Sequence, residues 1–532
     1  MIMVAAASRQ GAILAAVVLA LIVSEDGAGV LAQAPDDAPV VQTDQGAVRG
    51  HVRTNLTEWL GIPYAAAPVG PLRWKAPRPA ASWTGVRDAT TPGRACVQGT
   101  GWDPGYEKPT LTEDCLFLNV YRPNRAPATT EPALLPVLVW IHGGGLTGGA
   151  GYDTDPRKFV DLGQVVFVTF NYRLGAMGFL AVPDLRQEDA DAVGNYGLLD
   201  QQAALRWVHR NILRFGGDPD QVTLAGQSAG ASSVCDQLAS PAVKGLFARA
   251  IHQSGGCTMT SRALAEETGG RFAATLGCID PSTAAVCLRS KSAADILAAQ
   301  GQVRVATPVY GGALFPTNPA DAVRAGAFNR VPILIGQVHD ERTQSQFAAS
   351  DYVGKPVTAA QYSDEIRRRH GARAAAVLAQ YPVTAFWSPT VALATVEGDE
   401  RSCQRQSLIA QFGAAVPTFA YEFDEQDGPP FVSVWRLHST FRFGATHVND
   451  LGYLFDYLRQ ALPFSAAQGE LSDQMIRYWS TFTRTGDPNG PFVPAWPKYE
   501  AKSEAMLSLQ AAGTKIKTDF AMDHRCGFWA AR

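Results

Sequence analysis

The 532-residue chain predicts an α/β fold, with a mostly parallel central sheet and helices on both of its faces. Three observations carry that prediction. Apolar runs at 137–141, 165–170, 222–225 and 333–335 are continuous rather than alternating, as strands buried on both faces are. Between them, 197–215 carries a helical stripe, Leu198, Leu205, Val208 and Ile212, stopped by Gly216-Gly217-Asp218-Pro219. Hydrophobic residues make up 46% and charged residues 18%, which fits a folded chain with a large core and not a disordered or fibrous one.

Taken in order, residues 1–34 read as an address. Arg9 precedes the apolar run 11–23, and small residues follow down to Ala32-Gln33-Ala34. Thirteen apolar residues fall short of the roughly 20 needed to span a bilayer, so cleavage of an export signal is the first reading and an uncleaved anchor the second. No later run approaches spanning length. The expected location is secreted or periplasmic, where cysteines pair. Asn55-Leu56-Thr57 is a glycosylation sequon. Residues 35–532 read as one domain without repeats. Within it, the helix-rich stretch 352–400 reads as an insertion or lid covering the site. Forty-six Lys and Arg against 49 Asp and Glu give a net charge of −3, which leaves no basic field for nucleic acid.

In a parallel sheet, chemistry collects at the carboxyl ends of the strands. Gly226-Gln227-Ser228-Ala229-Gly230 follows one strand directly and opens a helix, which is the setting of a nucleophile elbow. The turn is so tight that side chains two residues either way would clash, and glycine at both flanks relieves this. Ser228 is the expected nucleophile. His142-Gly143-Gly144-Gly145 closes the strand at 137–141 and bares backbone N–H groups, as an oxyanion hole requires. A phosphate loop would end in Gly-Lys-Ser/Thr, and Leu146-Thr147-Gly148 follows here. The catalytic order Ser, acid, His leaves His370, His438, His447 and His524 as bases. His339-Asp340-Glu341, after the strand at 333–335, offers two acids. There is no CxxC or HExxH, so neither a metal nor a cofactor is expected.

Across 40–530 the chain resembles the type-B carboxylesterases of the α/β-hydrolase fold, relatives of the cholinesterases. The landmarks are Gly61-Ile62-Pro63-Tyr64-Ala65, Glu113-Asp114-Cys115-Leu116-Phe117-Leu118-Asn119, the HGGG turn, Asn171-Tyr172-Arg173, Gly194-Asn195-Tyr196-Gly197-Leu198-Leu199-Asp200-Gln201, the GQSAG elbow, Gln253-Ser254-Gly255 and Gly486-Asp487-Pro488-Asn489. The resemblance implies that Gly144, Gly145 and Ala229 donate to the oxyanion and that His447 is the base, with Asp450 three residues on and His438 as its rival. It implies Glu341 as the acid, with Asp340 as the alternative, and places Ser254 near that acid. It implies disulfides Cys96–Cys115, Cys278–Cys287 and Cys403–Cys526. Cys235 and Cys257 are left as a fourth bridge or as two buried thiols.

The expected function is hydrolysis of a small-molecule carboxylic ester through an acyl-enzyme. The alternatives are an interfacial triacylglycerol lipase and, more remotely, a non-catalytic adhesion protein of the same family, which would lack the nucleophile. Gln227 stands where cholinesterases carry glutamate. Trp59, Trp74, Trp102, Tyr106 and Phe441 are candidate pocket aromatics, with core packing as the plainer reading. The acyl and alcohol preference and the oligomeric state are not encoded in any motif.

Overall fold

The computed structural model describes residues 39–99, 110–124, 134–431, 440–457 and 461–531. Residues 1–34, which the sequence reads as an export signal, and Trp102, Tyr106 and His438 lie outside the described residues. Eleven strands form the main sheet. In chain order they are β1 (His51–Val52), β2 (Leu56–Pro63), β3 (Phe117–Pro123), β4 (Leu135–Ile141), β5 (Val166–Phe170), β6 (Gly217–Gln227), β7 (Arg249–Gln253), β8 (Ile333–Val338), β9 (Thr418–Phe423), β10 (Met506–Leu509) and β11 (Lys515–Lys517). Their spatial order is β11-β10-β9-β8-β7-β6-β4-β5-β3-β2-β1. From β5 to β10 every pairing is parallel, and the edges turn antiparallel.

The continuous apolar runs are the central strands. All seven residues of β4 and all six of β8 are buried, because helices cover both faces and leave no wet side to demand alternation. The stripe at 197–215 is the helix Tyr196–Asn211, tightened into one 3-10 turn, Ile212–Phe215, and closed by Gly216 at φ 82°. The strand read at 333–335 is longer in the structure: β8 runs on through Gly336, where the Tyr421 ring of β9 occupies the place a Cβ would take, to Val338.

The sequence landmarks are largely contacts with one another. The Gly61 amide donates to Asn119 Oδ1 at 3.0 Å, and the Tyr64 hydroxyl donates to the Asn171 carbonyl at 2.6 Å. Arg173 meets Asp200 at 2.7 Å, both side chains buried. Four disulfides are present, including Cys235–Cys257, so the pair left open by the sequence is a bridge. Among the described residues no helix is long and apolar enough to cross a membrane. The stretch 352–400 contributes helices Ala359–His370 and Ala374–Gln380 and the start of Pro389–Gly413, with a small core of their own around Tyr362, Val377 and Tyr381. Trp59 and Trp74 are core residues, 0% and 1% exposed, rather than pocket walls. Phe441 packs on Phe347 and Trp387.

Candidate active site

Strand β6 runs through Gln227, and Ser228 follows at φ 57°, ψ −123°, a left-handed and costly backbone for a residue with a Cβ. The turn admits no side chain on either flank. A Cβ on Gly226 would lie 2.5 Å from the Gly230 carbonyl carbon, and one on Gly230 would lie 2.0 Å from the Ile141 oxygen. The strained serine is held from the neighbouring strand, its amide donating to the Gln253 carbonyl at 2.8 Å. Helix Ala229–Ala239 begins at once, with its dipole directed at the site.

The elements that follow β8 and β9 bring the other predicted residues to this hydroxyl. Ser228 Oγ lies 2.9 Å from His447 Nε2, and His447 Nδ1 lies 2.6 Å from Glu341 Oε2. Of the two adjacent acids, Glu341 faces the imidazole. Asp340 turns to the loop that carries His447, accepting from the Ala445 amide at 3.0 Å. Thr343 and Thr446 tie the same loop down, hydroxyl to hydroxyl at 2.7 Å.

Glu341 is fully enclosed, and burial by itself would raise its pKa. The Arg405 guanidinium and His447 reverse that and hold it down to about 2. Arg405 Nη1 donates to Glu341 Oε1 at 2.7 Å and to Gln337 Oε1 at 2.5 Å, while its Nε donates to the Gly255 carbonyl at 3.1 Å. Arg405 was not legible beforehand: it sits in the helix Pro389–Gly413 without any motif around it. Ser254, at φ 54°, lies beside Glu341 and adds a smaller lowering, although its hydroxyl makes no hydrogen bond of ordinary geometry. Asp450 Oδ2 accepts from Gln253 Nε2 at 2.9 Å and from the Tyr421 hydroxyl at 3.0 Å, and burial raises its pKa. Gln227 was noted only as a departure from the cholinesterase pattern. Its Nε2 lies 3.3 Å from His447 Nε2.

Facing Ser228 is the glycine turn, with Gly144 at φ 100° and Gly145 at φ 63°. Among the described residues, the amides of Gly144, Gly145 and Ala229 donate to no protein acceptor. His142 anchors the turn, stacked on Tyr172 at 4.4 Å, and burial lowers its pKa to about 4, so it is neutral there. The group opens into a cavity of about 1680 Å³, walled by Trp140, Phe431 and Leu451 among others and reached by Arg373 and Arg401. A buried acid balanced by one cation, an imidazole bridging that acid to a strained hydroxyl, and unspent amides opposite can carry out nucleophilic acyl transfer.

The sequence pattern of the carboxylesterase family matches residues 37–529. The chain is 34% identical to the para-nitrobenzyl esterase of Bacillus subtilis, over 89% of this chain and 95% of that one. It is 31% identical to the human cocaine esterase, over 94% and 92%. With the fumonisin B1 esterase of Sphingopyxis macrogoltabida the identity is 33%, over 91% and 89%.

Proposed function

The chain belongs to the carboxylesterase family and is a carboxylic ester hydrolase, and from that premise we propose that it works through a Ser228–His447–Glu341 triad and an acyl-enzyme. The observation that carries this is one imidazole within hydrogen-bond reach of both partners, 2.9 Å from Ser228 Oγ and 2.6 Å from Glu341 Oε2. In the proposed sequence His447 Nε2 takes the Ser228 proton as Oγ attacks the ester carbonyl. Glu341, kept ionised by Arg405, fixes the imidazole tautomer and balances the imidazolium. The carbonyl oxygen becomes negative between the amides of Gly144, Gly145 and Ala229. The alcohol leaves with the proton from His447. Water, activated by the same base, then releases the acid. We further propose export to an oxidising compartment, which the four disulfides support.

The test is burst kinetics with a 4-nitrophenyl ester. The wild-type protein should release about one equivalent of nitrophenol rapidly and then turn over steadily. Ser228→Ala should show no burst and lose at least roughly 10³ in kcat. An unchanged rate in that variant would refute the assignment. Emulsified triglyceride hydrolysed faster than soluble short-chain esters would favour the lipase alternative.

A further inference from the structure

We propose that Arg304 makes this hydrolase selective for esters that bear a carboxylate, its guanidinium taking the anion beside the oxyanion glycines. The inference rests on the reading of the site given above and adds the substrate class.

Arg304 Nη2 donates to the Gly145 carbonyl at 2.9 Å. A Cβ built on Gly145 would come within 3.3 Å of that same nitrogen, so the cation lies against the glycine whose amide faces the forming oxyanion. The mount is firm. Val305 and Ala306 are buried, Val303 packs on the core, and the Pro308 carbonyl accepts from the Thr260 amide at 2.9 Å. A long cationic side chain is thereby aimed from a fixed backbone into the cavity it helps to line.

Most other cations of that cavity are already neutralised. Arg405 pairs with Glu341, Arg342 with Glu397 and Arg324 with Asp321. Arg304 makes no ion pair among the described residues, and one carbonyl uses one of its five N–H donors. The cavity acids do not claim it. Burial pushes the Asp236 carboxyl well above its ordinary value, and Glu504 is engaged by Gln406 Nε2 at 3.1 Å. Glu400 lines the cavity as well, and among the described residues no ion pair joins it to Arg304. A substrate that covers Arg304 must strip its water. A neutral ester gives nothing back for that loss, whereas a carboxylate returns a charge-assisted, fork-shaped pair. Arg304 is exposed at the cavity wall, so solvent weakens the pair and the expected gain is about tenfold rather than thousands.

The experiment compares 4-nitrophenyl hydrogen adipate with 4-nitrophenyl hexanoate, which places the charge on the acyl part. A second pair, 4-(hexanoyloxy)benzoate with phenyl hexanoate, places it on the alcohol. Uncatalysed hydrolysis is subtracted from each. The readout is the ratio of kcat/KM, charged over neutral, so that any general damage from a substitution cancels. In at least one pair the wild-type ratio should fall about tenfold in Arg304→Gln, be largely kept in Arg304→Lys, and shrink with added salt. The pair that responds tells which half of the ester carries the anion. Binding of the same esters to Ser228→Ala, measured by calorimetry with and without Arg304→Gln, gives the ratio independently of turnover. If Arg304→Gln leaves the ratios unchanged in both pairs and both measurements, the inference is overturned while the triad stands. If no ester gives a burst yet the binding ratio still falls, the triad reading fails and the anion site survives.

Discussion

The Asp340 carboxylate accepts from the Ala445 amide at 3.0 Å, and the Asp340 amide donates back to the Ala445 carbonyl at 2.9 Å. Two adjacent acids thus divide one task. Asp340 grips the turn that delivers His447, and Glu341 meets the imidazole. The two lie past the end of β8, where the chain turns, and their carboxylates meet different partners.

Glu341→Gln should lower kcat by about 10⁴ with little change in KM, because the amide no longer enforces the tautomer or balances the imidazolium. Asp340→Ala should cost about 10–100-fold, through a loop that holds His447 less well. Steady-state kinetics on a soluble aryl ester checks both. Equal losses would remove the division of labour.

Arg405→Met should move the acid limb of the pH profile upward. Burial favours the uncharged Glu341, and Arg405 is the first influence holding it down to about 2. Without the guanidinium the carboxyl protonates at higher pH, and below that point it cannot balance His447. The wild-type limb from kcat/KM should therefore lie lower than that of the variant. Coincident limbs would mean Arg405 does not set the charge of Glu341.

Gly230→Ala should destabilise by about 1–3 kcal/mol or more, since its Cβ would fall 2.0 Å from the Ile141 oxygen, a backbone atom that cannot swing aside. Gly270→Ala, in the helix Arg262–Thr275 with nothing within 4 Å of the added carbon, is the control and should be neutral or slightly stabilising. Thermal melts of the two variants compare them directly.

Stability should decline with alkali through His524. Burial opposes its charge, but Glu422 at 2.6 Å and Asp399 at 2.9 Å raise it to about 9. A raised folded pKa stabilises fully below the unfolded value of about 6.5, and the contribution fades as pH climbs through 9. His524→Gln should be less stable at pH 6 and should flatten the slope between pH 6.5 and 9 in urea titrations. Parallel slopes would exclude the imidazolium as the cause.

What could be read from the residue order is what short-range sterics govern. An unbroken apolar run implies a strand covered twice, and Gly-x-Ser-x-Gly between strand and helix implies a turn that only glycine can flank. His142-Gly143-Gly144-Gly145 implies exposed amides. These follow from bonds and backbone angles a few residues apart, so they survive without knowledge of the rest of the chain. Distance in sequence hides the remainder. Arg405 reaches Glu341 across 64 positions and Arg304 reaches Gly145 across 159, neither with any local mark. Cys235 meets Cys257, and Asp340 rather than Glu341 turns to the loop, because neighbouring strands and helices set where each side chain can go. Packing is a property of surfaces brought together by folding, and a long-range contact leaves its trace in the chain only where both partners happen to sit in a recognisable turn.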